Sequence, residues 1–158
     1  MFKYLILFSF VFASCKTTTY YVVRHAEKEV ATTTSDVSLS AAGQQRAQAL
    51  QNQLTGKVER IFSTNFIRTK TTAEPLARQN TLQVETYDPR DTGFVRMLKG
   101  LNHKGILVVG HSNTVDDLVN GLLGRKELSD LPETQYGDLF IIKKRKNNYS
   151  FTQSRFGQ

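Results

Sequence analysis

Arg24-His25-Ala26, at the end of the apolar run Tyr20-Tyr21-Val22-Val23, puts a guanidinium and an imidazole where a strand should give way to a loop. Ligands of open α/β folds bind beyond the carboxyl ends of strands, so reactive side chains there point to chemistry. Two further strand ends carry comparable residues. Val58 to Ser63 reads as a strand leading through Ser63-Thr64-Asn65 towards Arg68, and the continuous apolar run Gly105 to Gly110 ends directly in His111-Ser112-Asn113. If these strands are parallel, two imidazoles and two guanidiniums converge on one rim of the sheet. Such a set suits a phosphate: Arg holds its oxygens bidentately, one imidazole donates to them, and a neutral imidazole nitrogen attacks phosphorus in line. Taken alone, an Arg-His pair is more often two surface residues.

The elements that must position these residues alternate strand and helix, the pattern of a layered α/β domain with parallel pairing. The first strand, Thr18 to Arg24, is followed by a Thr- and Ser-rich loop, Glu29 to Val37. A helix then runs from an N-cap at Ser40 to about Thr55 and stops at Gly56. A second helix is expected from about Asn65 to Gln79, with Pro75 inside it as a kink or a new start. Leu82 to Thr86 reads as a short strand and Asp88-Pro89-Arg90-Asp91 as a turn, in which Asp91 or Thr92 caps a helix to about Leu101. Thr114 to Leu123 reads as a helix, and Leu139 to Lys144 with Tyr149 to Phe156 as a closing hairpin. The run Lys143-Lys144-Arg145-Lys146 falls at its turn, as solvated charge would.

Three motifs now stand in order: Arg24-His25-Ala26-Glu27-Lys28, then Ser63 with Arg68-Thr69-Lys70-Thr71-Thr72-Ala73, then Gly110-His111-Ser112-Asn113-Thr114. In order, spacing and strand context they resemble the histidine phosphatase superfamily, also called the phosphoglycerate mutase-like family. The resemblance covers essentially residues 15 to 158, in a compact form close in size to the short phosphohistidine phosphatase branch. It implies a three-layer α/β domain with a mostly parallel central sheet and helices on both faces. It also implies a phosphatase hydrolysing a phosphomonoester or phosphoramidate through a phosphohistidine intermediate. Within it His25 takes the nucleophile's role, Arg24 and Arg68 match the phosphate-binding arginines, and His111 matches the second pocket histidine. Many members place an acid between the second and third motifs, and here the candidates are Asp88 and Asp91. Asp88 is preferred because it follows a strand end directly, whereas Asp91 sits where a helix cap is wanted. The expected partner is a small phosphorylated molecule or phosphohistidine, selected by loops such as Glu29 to Ser38 and Ser129 to Gly137.

Competing chemistries fit less well. Ser112 lacks the second glycine of a nucleophile elbow. A metal is disfavoured because His25 and His111 keep company with arginines rather than carboxylates, and no cofactor is expected. Asn113 could reach the phosphate or cap the next helix, and capping is the commoner job. A non-catalytic phospho-ligand-binding lipoprotein on the same fold is the alternative function.

Residues 1 to 14 are set apart from the fold. Met1-Phe2-Lys3 is a positive start, Tyr4 to Phe12 is apolar but too short to span a bilayer, and Ala13-Ser14 precedes Cys15, the single cysteine of the chain. The segment resembles a bacterial lipoprotein signal, although Phe12 stands where an aliphatic residue is usual. Cys15 would be lipidated and become the mature N-terminus, giving an exported, membrane-anchored protein on the periplasmic or cell-surface side. Residues 15 to 158 then suffice for one domain, whose stability must come from a hydrophobic core because one cysteine allows no internal disulfide. The net charge of +7 is scattered apart from the run at 143 to 146, so a nucleic-acid partner is not expected, while an anionic substrate is.

Overall fold

A computed structural model describes residues 17–30 and 36–157. The expected signal segment 1–14, Cys15 and part of the loop from Glu29 to Val37 lie outside the described residues. No helix among the described residues is long and apolar enough to cross a membrane.

The chain folds as β1 (Thr17–Arg24), α1 (Ala41–Leu54), β2 (Arg60–Ser63), α2 (Ile67–Asn80), β3 (Val84–Thr86), α3 (Phe94–Gly100), β4 (Gly105–Gly110), α4 (Val115–Leu123), β5 (Asp138–Arg145) and β6 (Asn148–Arg155). One six-stranded sheet has the order β3-β2-β4-β1-β5-β6. Pairs β2/β3, β2/β4 and β1/β4 are parallel, while β5 runs antiparallel to β1 and β6 antiparallel to β5. The architecture is therefore the layered α/β fold expected, with a mostly parallel centre and an antiparallel hairpin on one flank.

Alternation along the strands supplies both faces of the sheet. Tyr20, Val22, Phe62, Ile106 and Val108 point to one side and pack with Phe94 and Leu98 of α3 and Val115, Leu118, Val119 and Leu122 of α4. Val23, Ile61, Leu107 and Val109 point to the other and pack with Leu50 and Leu54 of α1 and Ala73, Leu76 and Ala77 of α2. All six residues of β4 are buried, because this strand has a parallel neighbour on each side and helices on each face.

Several boundaries differ from the sequence reading for local reasons. Pro75 starts no new helix: α2 runs through it to Asn80 and ends on Thr81 in the left-handed conformation, φ 55°. Asp91 caps no helix directly, since Gly93 holds the N-cap position of α3; its carboxylate instead accepts from Gly93 N at 2.8 Å in the turn before it. Asn113 is no cap either. Thr114 holds that place, and its hydroxyl oxygen accepts from His111 N at 3.1 Å, so Asn113 is left exposed. Ser40 caps α1 as expected, accepting from Gly43 N at 3.2 Å.

Candidate active site

The loop after β1 is held from three directions. His25 N donates to Gly110 O at 2.9 Å, extending the β1–β4 ladder by one residue, so the two strand ends carrying His25 and His111 stay side by side. Ala26 N donates to Thr72 Oγ1 at 2.9 Å, tying the loop to α2. Glu27 is gripped bidentately by Arg46 of α1, whose other amino group donates to Phe156 O and Gly157 O at 2.9 and 2.8 Å. Glu27 thus fastens the motif loop to α1 and the chain end, away from the cavity.

A cavity of about 620 Å³ opens at the carboxyl ends of the parallel strands. His25, Arg68, His111 and Asn113 line it, with Lys28, Phe66 and Glu133 among their neighbours. The structure therefore brings together four of the six pocket residues named from the sequence. His25 is 4% exposed, and its ring lies 5.5 Å from that of His111 in an edge-on arrangement. His25 Nδ1 donates to Ala26 O at 2.7 Å, which leaves Nε2 as the basic nitrogen. Burial, with the charges of Arg24 and Arg68, pushes the His25 pKa down to about 3, against the smaller opposing effect of the Ala26 carbonyl. At neutral pH the ring is uncharged, and its Nε2 carries a free lone pair.

His111 is fixed as the other tautomer. Arg68 donates to its Nδ1 at 3.3 Å, and its Nε2 donates to Thr64 Oγ1 at 2.8 Å, while Thr64 passes its own proton to Thr69 Oγ1 at 3.0 Å. Burial and then the Arg68 charge lower the His111 pKa to about 4. Arg68 stacks on Phe66 at 4.5 Å and lies 3.8 Å from Asp36, so its fork is oriented at the cavity wall.

Arg24 and Asp88 sit differently. Arg24 is 3% exposed and lies behind the cavity lining. One amino group donates to Pro132 O and Gln135 O at 2.9 and 3.0 Å; the other meets Glu133 Oε2 at 3.0 Å, and the guanidinium covers the Tyr136 ring at 4.2 Å. Arg24 Nε has no partner among the described residues. Asp88 stays outside the lining of this cavity, at a neighbouring recess. Its carboxylate accepts from Arg90 N, Nε and Nη2 at 2.9, 3.2 and 3.1 Å, and this grip holds its pKa below the usual carboxylate range. Asp88 is thus ionised and turned to Arg90 rather than offered as an acid.

Sequence reasoning missed Glu133, Thr64 and Tyr136. Glu133 accepts from Ser112 Oγ as well as Arg24, and these contacts keep its carboxyl below the usual range. It lies within the loop from Ser129 to Gly137, flagged for substrate choice, but nothing in a Pro-Glu-Thr tripeptide announces an ion pair 109 residues away. Thr64 could have been found, since it directly follows the second strand. Among the described residues no group of three His, Cys, Asp or Glu side chains could hold a metal ion.

Residues 20–90, from β1 to the turn after β3, match the model of the histidine phosphatase superfamily (branch 1). Solved structures share the whole fold. A phosphoserine phosphatase from Entamoeba histolytica, bound to phosphoserine, has a TM-score of 0.64 at 16% identity, over 89% of this chain and 97% of that one. A mycobacterial glucosyl-3-phosphoglycerate phosphatase gives 0.66 at 12% identity, over 90% and 99%. A protein assigned as a phosphohistidine phosphatase from Nakamurella multipartitia gives 0.61 at 17%, over 89% and 95%. No curated protein matches the chain by sequence.

Proposed function

We propose that this chain is a histidine phosphatase, which takes the phosphoryl group from a small phosphorylated substrate onto His25 and releases it to water. The observation that carries the reading is His25 itself. It is buried yet cavity-lining, held neutral, and pinned through Nδ1 to Ala26 O, with Arg68 and His111 across the same cavity. The family match over residues 20–90 and the phosphatase folds around it support the same chemistry.

In this mechanism His25 Nε2 attacks phosphorus in line, an N–P bond forms, and the bond from phosphorus to the leaving group breaks. Water then attacks phosphorus, the N–P bond breaks, and inorganic phosphate departs. Arg68 neutralises charge on the equatorial oxygens as it builds, with Asn113 at the cavity rim, while His111 accepts from Arg68 and keeps its fork in place. Arg24 adds field from behind, and its contact with Glu133 is one that a phosphate oxygen would compete for. With Asp88 and Glu133 both held ionised, a leaving group that needs little protonation is favoured. That points to a phosphoramidate such as phosphohistidine, or an activated phosphomonoester, over a simple alkyl phosphate.

The occupation of Arg24 by the loop at 132–136 favours a second reading, a phospho-ligand-binding protein without turnover. Rapid mixing with substrate followed by a basic quench separates the two. The expected result is an acid-labile phosphate on His25, lost in His25→Ala, with Arg68→Ala slowing its formation roughly a hundredfold to a thousandfold. Tight phosphate binding with no adduct would establish the second reading. The N-terminal signal resemblance supports export and attachment to a membrane through lipidated Cys15.

A further inference from the structure

The sheet has two ends, and the cavity occupies only one. Strands β1, β2 and β4 all start at the opposite end, where β5 finishes and β6 begins. There Thr17, Thr18 and Thr19 lie in register with Arg145, Lys144 and Lys143, so the basic hairpin turn runs alongside the first described residues of the chain. Lys143, Arg145 and Lys146 are exposed. Lys104 and Lys57 join them: the Lys104 carbonyl accepts from Thr19 N at 2.9 Å, and the Lys57 backbone lies against Gly105 at the start of β4. The cluster has a firm base, because Lys144 Nζ donates to the carbonyl of Lys99, whose ammonium sits 5.3 Å over the Tyr149 ring. Glu59 accepts from Lys104 N and faces His103, and Glu85 is paired with Arg60, so a positive excess remains.

The sequence that precedes Thr17 contains the apolar run Tyr4 to Phe12 and, as its charges, Lys3 and Lys16. Cys15, the expected lipidation site, lies two residues before Thr17 and so enters the domain beside this basic turn. We propose that this end docks on the headgroups of an anionic phospholipid bilayer, so that the cavity faces away from the membrane. Charge alone would suit a nucleic acid as well, but a lipid on Cys15, two residues before β1, would place a bilayer at this end. The inference goes beyond the phosphatase reading and stands without it. It also bears on substrate: eight residues of β1 at about 3.3 Å each hold the cavity roughly 25 Å above the surface. That is about three Debye lengths at physiological salt, so the site meets soluble phosphorylated molecules rather than lipid headgroups.

Amide exchange of the full chain, reconstituted into vesicles of phosphatidylcholine alone or with a third phosphatidylglycerol, tests the docking. Each cation near such a surface strengthens attachment roughly fivefold. Amides at 143–148 and 103–105 are therefore expected to exchange about tenfold more slowly on the anionic vesicles, and 0.5 M salt should erase the difference. The triple variant Lys143→Glu, Arg145→Glu, Lys146→Glu should lose the slowing while hydrolysing a soluble phosphomonoester as before. The salt response of the unmodified chain decides the matter even if that variant folds poorly. Equal exchange on both vesicles overturns the proposal, as does slowing by a single-stranded oligonucleotide in place of the vesicles or slowing confined to 132–136.

Discussion

At the residue scale, the two pocket histidines share an environment and differ in tautomer, and the difference is set by which nitrogen each backbone or side-chain neighbour takes. The Ala26 carbonyl binds the proton on His25 Nδ1, whereas Arg68 donates to His111 Nδ1 and moves that proton to Nε2. One ring is left with an outward lone pair and the other with none to spare. Both are neutral because burial and nearby guanidiniums oppose their protonation. This has a thermodynamic consequence. Their folded pKa values, about 3 and about 4, lie below the ordinary value of 6.5, so between those limits the unfolded chain binds protons that the folded chain refuses. Stability therefore falls as pH drops below 6.5, by about 2 kcal/mol at pH 5 for His25 alone. Urea midpoints measured from pH 7 to 5 should show this decline, and His25→Asn should flatten it. An unchanged slope in the variant would mean that His25 titrates normally in the folded protein.

Elements matter here chiefly through how closely they approach the motif loop. Gly43 in the first turn of α1 faces the Glu27 carbonyl, and a Cβ built there would stand 2.1 Å from that oxygen. No L side chain fits without moving the backbone that carries His25, two residues away. Gly43→Ala is thus expected to cost about 1–3 kcal/mol in stability, as overpacking does, despite the better helix propensity of Ala. If His25 is the nucleophile, it should also lower turnover, because the displaced loop misaligns that ring. Denaturation curves and kcat measured together check this; a variant that is more stable and fully active would show that the loop yields freely. Gly105 makes a similar approach at the other end, where a Cβ would lie 1.9 Å from the Lys57 carbonyl.

For the whole molecule, the parallel centre of the sheet separates the cavity from the basic hairpin turn by the length of its strands. Parallel pairing collects the strand ends bearing His25, Thr64 and His111 at one end and the strand starts, with the basic hairpin turn, at the other. Attachment and catalysis should therefore be independent. Fed with a labelled fatty acid, a bacterial host that lipidates exported proteins should place label on the unmodified chain and none on Cys15→Ser. The unlabelled variant should keep the same kcat on a soluble phosphomonoester. Equal labelling of both would remove Cys15 as the anchor.

The division between sequence and tertiary structure follows from the range of the forces involved. The Ser40 cap, the apolar run of β4 and the strand-end placement of His25 and His111 are local, and local pattern with propensity was enough to read them, down to the bounds of β4. The layered α/β class followed too, because alternation of strand and helix leaves few ways to bury both faces of a sheet. What stayed illegible depends on contacts across many residues. Only the folded chain sets Glu133 and Tyr136 over Arg24, turns Asp88 to Arg90, leaves Asn113 exposed at the cavity rim, and brings Thr17 beside Arg145. The residue types of the pocket were encoded in the sequence. Their protonation and their partners were decided by burial and by neighbours that the strand order brings together.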